Sequence, residues 1–135
     1  MSLADYRAFI AARAVAPSMG GFAPRPINSA AKAHQEAALR FALEKGKSAA
    51  FLDTGLGKSF IELEFARQCA DETGKPSLIL TPLAVAGQMI REGQKFNSDA
   101  RQIREQIDVG AGVMVANYER LHKLDPAAFG AVVLD

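Results

Sequence analysis

Nine consecutive residues, Phe51-Leu52-Asp53-Thr54-Gly55-Leu56-Gly57-Lys58-Ser59, place two glycines, an ammonium and a hydroxyl at a spacing suited to gripping phosphate. Gly55 and Gly57 let the backbone curl around phosphate oxygens with no Cβ in the way. Thr54 and Leu56 complete the loop, Lys58 can reach β- and γ-phosphates, and the Ser59 hydroxyl can hold Mg²⁺. A helix beginning at Lys58 would add unpaired N-terminal amides and the positive end of its macrodipole. These residue types in this order read as a nucleotide site. The full pattern asks for a glycine five residues before Gly57, and that position is Leu52. Gly-x-Gly-Lys-Ser alone also occurs in ordinary loops, so the flanking elements decide its meaning.

Those elements have the required order. Residues 48–52 are an apolar run of the kind a buried parallel strand needs, and residues 58–70 have helical spacing, stopped by Asp71-Glu72-Thr73-Gly74. A second strand is predicted over 76–81 and a helix over 83–96, with Val85, Met89 and Phe96 apolar. Residues 100–104 read as a short strand and 113–116 as another. A short helix over 118–124 ends at Asp125-Pro126, and 131–135 is a last strand. Upstream, a helix over 4–15 with Tyr6, Phe9, Ile10 and Ala14 near one face leads into a Gly/Pro-rich connector over 17–26. A helix over 30–44 follows, with Ser29 as its N-cap. Strands alternating with helices predict an α/β fold with a mostly parallel central sheet. Ligands in such sheets lie at the carboxyl ends of the strands. The glycine loop, Thr81-Pro82, Asn117-Tyr118-Glu119 and Asp135 all fall there.

The chain of 135 residues suits a single domain, and 49% hydrophobic with 23% charged residues is ordinary for a globular protein. A net charge of +1 creates no global field for nucleic acid, so any such contact must be local. The single cysteine, Cys69, falls on the apolar part of a predicted helix. It cannot form an internal disulfide, no Cys/His cluster has zinc spacing, and it reads as a small buried hydrophobe in a reducing compartment. No apolar run reaches membrane-spanning length and no signal-peptide core opens the chain, so a cytoplasmic protein is expected, with no membrane partner.

Taken together, the motifs resemble the first RecA-like lobe of superfamily 2 helicases, nearest to the Swi/Snf-like DEAD/DEAH-type helicases common in phages and prophages. Asp53-Thr54-Gly55-Leu56-Gly57-Lys58-Ser59 is similar to motif I of that family, which typically carries Gly-Leu-Gly-Lys-Thr. The stretch from Leu78 through Thr81-Pro82 to Gln88 resembles motif Ia, and Val115-Ala116-Asn117-Tyr118-Glu119-Arg120-Leu121 resembles motif Ib. Val132-Val133-Leu134-Asp135 resembles the opening of motif II, and His34-Gln35 fits the glutamine motif that reads adenine. The resemblance runs from about residue 21 to 135. It implies residues 1–20 as an N-terminal helix and connector, and 21–135 as a partial RecA-like ATP-binding lobe. The implied fold is a three-layer P-loop NTPase, incomplete at its C-terminus.

By that resemblance Lys58 and Ser59 bind the triphosphate and Mg²⁺ of ATP, Gln35 reads the adenine edge, and Phe22 stacks on the base. Thr81, Pro82, Gln88, Asn117 and Tyr118 face nucleic acid, DNA by preference, in a bacterial host or phage setting. Structural readings stand beside these: Gln35 as a solvated helix position, Phe22 as a cover for the core, Thr81-Pro82 as a strand stop with a helix N-cap. Arg91 and Lys95 read as solvated. Asp135 would hold Mg²⁺ through water. The family's following Glu, its motif III and the second RecA-like lobe with its arginine finger, worth roughly a thousandfold or more in rate, do not follow Asp135. A chain of this extent is expected to bind nucleotide but to hydrolyse it poorly. It is expected to leave an exposed sheet edge open to homodimerisation, with residues 131–135 beside the loop strand. A non-catalytic lobe that binds a partner or nucleic acid is the alternative. A small P-loop kinase or GTPase fits less well, because no lid arginines and no Asn-Lys-x-Asp signature appear.

Overall fold

A computed structural model describes residues 2–13 and 20–135. The end of the expected first helix, residues 14–15 with Ala14, and residues 17–19 of the connector lie outside the described residues. Helix α1 spans Leu3–Arg13. Residues 20–32 carry no helix or strand. They are nonetheless fixed by polar bonds to a later helix. The Arg25 amide donates to Gln68 Oε1 at 2.8 Å, and the Asn28 amide donates to Glu64 Oε1 at 3.2 Å. Arg67 holds the buried Glu64 through a 2.6 Å ion pair, which keeps the Glu64 carboxyl below its ordinary value despite burial.

Helix α2, Ala33–Lys45, begins later than Ser29 predicts. The turn at Ser29-Ala30 is closed by Asn28 Oδ1, which accepts from the Ala30 amide at 3.0 Å. That bond uses the capping chemistry one turn before the helix starts. Helix α3 spans Lys58–Thr73 and stops at Gly74, whose φ of 67° is the left-handed cap. Strand β1, Ser77–Thr81, leads into helix α4, Leu83–Gln94, and then to the two-residue strand β2, Arg101–Gln102. Strand β3, Val113–Asn117, is followed by 3₁₀ turns over Tyr118–Lys123 and Pro126–Ala128, then strand β4, Ala131–Leu134.

The sheet has four strands in the order β2-β3-β1-β4, every neighbouring pair parallel. β1 and β3 are buried on both faces, as a continuous apolar run requires. Ile79, Val113 and Val115 pack under Leu63 and Ala66 of α3 and Ala86 and Met89 of α4. Leu78, Leu80, Met114 and Ala116 face the other way, onto Ile103, Leu124 and Phe129. Each buried Leu, Ile, Val, Met or Phe side chain among them contributes about 1.5–3 kcal/mol. Helix α2 lays Leu39 against Phe60 and Ile61 on the outer side of α3. The fold is therefore α/β with a parallel sheet, as expected, with helices on one face and 3₁₀ turns on the other.

Two expectations are overturned. Residues 48–52 form no strand, and Ala49, Ala50 and Phe51 are exposed, Phe51 almost fully at 97%. β4 is an edge strand: it pairs with β1 alone, not with the segment leading into the loop. Strand formation depends on a ladder partner, and an apolar run without one has nothing to hold it extended. An open cleft of about 450 Å³ separates residues 50–53 from Leu134 and Asp135, so no ladder bridges them. Val132 and Leu134, aligned with Leu78 and Leu80, stay 49% and 68% exposed.

Candidate functional site

The glycine loop turns over residues 54–56 and enters α3 directly. Gly55 and Gly57 have φ of 81° and 75°, the left-handed region that a side chain would strain. At Gly57 a Cβ would also run into Gln35 Nε2. The loop is held from below by α2. Gln35, 6% exposed, donates from Nε2 to the Leu56 and Gly57 carbonyls at 3.3 Å each, while its Oε1 accepts from the Lys32 amide at 2.9 Å. His34 Nε2 lies 3.0 Å from the same Leu56 carbonyl. The Gln35 carboxamide thus braces the loop, and an adenine contact would require exchanging these bonds. The Thr54 amide is turned back onto Asp53 Oδ1 at 2.8 Å.

No side chain caps α3, and its first turn carries no acid. Its leading amides and the positive end of its dipole therefore remain available to an anion. Lys58 is exposed at this end, with no ion pair among those found in the described residues. Together with Glu62 and Asp135 it lines the cleft beside the loop. Ser59 is half-buried and approaches Glu92 of α4, whose carboxyl Gln88 and then Ser59 hold below its ordinary value.

Asp135 follows β4, its amide donating to the Leu80 carbonyl at 3.0 Å. Its neighbour in the cleft is Glu62, one turn along α3 from Lys58. Burial, then the Asp135 charge and a shared hydrogen bond with Asp135, push the Glu62 carboxyl up to about 7, against the pull of Lys58. Glu62 Oε2 is buried without a partner. The cleft thus offers Glu62 and Asp135 oxygens beside the Lys58 ammonium, and Ser59 is not among the residues that line it. Among the described residues no group of three or more His, Cys, Asp or Glu gathers as a metal cage. An oxygen-only set with an orphaned carboxylate atom fits Mg²⁺, which takes one or two protein ligands plus phosphate and water.

The residues expected to face nucleic acid divide into two groups. Thr81 and Asn117 are aligned across β1 and β3 at the carboxyl edge, but both are buried. Thr81 Oγ1 donates to the Pro82 carbonyl at 3.0 Å, and Asn117 Nδ2 donates to Glu119 Oε2 at 2.8 Å. Pro82, Gln88 and Tyr118 are exposed. Gln88 donates to Glu92 Oε1 at 2.9 Å, and the Tyr118 hydroxyl donates to the Asp135 carbonyl at 2.8 Å. Burial, with the Asp135 and Glu62 charges, raises the Tyr118 phenol above its ordinary value. Cys69 is 5% exposed, and burial pushes its thiol up to about 11, so it behaves as the expected small hydrophobe.

No protein-family model, curated protein or solved structure matches this chain. No helix among the described residues is long and apolar enough to cross a membrane.

Sequence reasoning missed Glu62 and Glu92. The four-residue step from Lys58 to Glu62 was the available signal for the first, since it sets both on one helix face. Nothing local marks Glu92, whose contact with Ser59 depends on how two helices meet.

Proposed function

We propose that this chain is the ATP-binding lobe of a DNA helicase or translocase of the superfamily 2 type, binding Mg-ATP at residues 54–59. One observation carries the reading: two left-handed glycines deliver the backbone into an uncapped, acid-free helix N-terminus whose first residue is an exposed lysine. Lys58 would neutralise β- and γ-phosphate charge, the loop amides would hold phosphate oxygens, and Ser59 with Asp135 would hold Mg²⁺. Bound Mg²⁺ would supply charge neutralisation across the phosphates. Pro82, Gln88 and Tyr118 would form the DNA-facing surface, Tyr118 offering a ring for base stacking. Titrating Mg-ATP while following backbone amide resonances tests this. Shifts centred on Gly55, Gly57 and Ser59 are expected, whereas shifts scattered elsewhere or none at saturating ATP would overturn it.

A second reading, a non-catalytic module of the same lobe, is favoured by the lead-in segment 48–52, which pairs with no strand and leaves the loop anchored on one side only.

A further inference from the structure

The glycine loop begins beside an acceptor of its own. Asp53 Oδ1 accepts from the Thr54 amide at 2.8 Å. The amides of Gly55, Leu56 and Gly57 meet no such acceptor among the described residues. Asp53 also lines the cleft that Lys58 lines, yet no ion pair between them is found in the described residues. The Asp53 carboxylate is thus bound to the loop backbone and not to the ammonium.

A backbone amide has one hydrogen, and a carboxylate oxygen and a phosphate oxygen are rival acceptors for it. We propose that Asp53 is an internal competitor at the phosphate loop: its carboxylate holds the Thr54 amide until a polyphosphate displaces it, which weakens anion binding. The inference rests on the phosphate-cradle reading and adds to it a residue that opposes binding. Displacement has two costs. Thr54 gives up a charge-assisted hydrogen bond, and the released negative charge stays beside the incoming anion. Asp53 and Thr54 are both exposed, so water screens the effect to about three- to tenfold in affinity. The two costs separate by salt: charge repulsion fades as the Debye length shrinks, whereas competition for one amide hydrogen persists.

The test is calorimetric titration of inorganic tripolyphosphate in EDTA, which leaves out metal and base, into the wild type, Asp53→Asn and Asp53→Ala. Circular dichroism checks that all three are folded, as the exposure of Asp53 leads one to expect. Asp53→Ala, with neither charge nor acceptor, should bind about three- to tenfold more tightly than the wild type. Asp53→Asn loses the charge but keeps an acceptor oxygen for Thr54, so it should gain less. Raising the salt should erase most of the Asn gain and leave the gap between Ala and Asn standing. Binding by Asp53→Ala that equals or falls below the wild type would overturn the inference alone. Equal gains in the two variants that vanish together at high salt would do the same, because they show charge repulsion without a held amide. Tripolyphosphate bound by none of the three folded proteins would sink the phosphate-cradle reading and this inference with it.

Discussion

Replacing Glu62 by glutamine should change how stability depends on pH. The Glu62 carboxyl is raised from 4.5 to about 7 by burial and by Asp135, with Lys58 opposing. Between those two values the folded chain holds a proton that the unfolded chain has released. Stability is therefore fully present below about pH 4.5, falls as pH rises through the window, and levels off above about 7. At about 1.36 kcal/mol per pH unit the full span amounts to ~3.4 kcal/mol. Glu62 is only half-buried, and solvent screening reduces this to ~1–2 kcal/mol. For a chain of this size that is a fall of about 4–8 °C in Tm between pH 5 and 8 attributable to Glu62. Glutamine keeps the shape and carries no charge, so Glu62→Gln should melt above the wild type at pH 8 by this amount. Near pH 5 the two should converge. Thermal melts by circular dichroism across that range provide the assay. Lys58→Met should steepen the wild-type slope, since it removes the charge that opposes the shift. Parallel pH profiles for wild type and Glu62→Gln would refute the reasoning.

Two further outcomes follow from the loop brace and the sheet edge. Gln35→Ala orphans the Lys32 amide and frees the Leu56 and Gly57 carbonyls, which should cost about 1–3 kcal/mol in urea unfolding and weaken Mg-ATP binding. Unchanged unfolding and binding would show that the brace does nothing. β4 presents an uncharged outer edge with Val132 and Leu134 exposed, so the wild type should self-associate with concentration in sedimentation, and Val132→Lys should shift it toward monomer. A wild type that remains monomeric at high concentration contradicts the edge argument.

The core strands and helices α3 and α4 were legible because their burial is written into local periodicity. β1 and β3 read as unbroken apolar runs, and both are buried along their length. The run over 48–52 looked equally strand-like, yet a strand is defined by its neighbours, and none reaches it. Long-range polar pairs were invisible for the same reason: Arg25 finds Gln68 across 43 residues. Local motif reading placed Thr81 and Asn117 at the right edge of the sheet. It could not reveal that both are buried and turned to bonds within their own loops. The His34-Gln35 motif singles out Gln35 without its role, because its bonds to the loop carbonyls come from the packing of α2 against the loop and α3.

The measurement that bears most directly on the central claim is calorimetric titration of Mg-ATP into the wild type and Lys58→Ala. Lys58 is exposed and held by no ion pair among those found, so removing its ammonium should leave the fold intact. The phosphate-cradle account predicts saturable binding by the wild type that falls at least tenfold, about 1.4 kcal/mol, in the variant. Equal binding by both proteins, or none by a folded wild type, would contradict it.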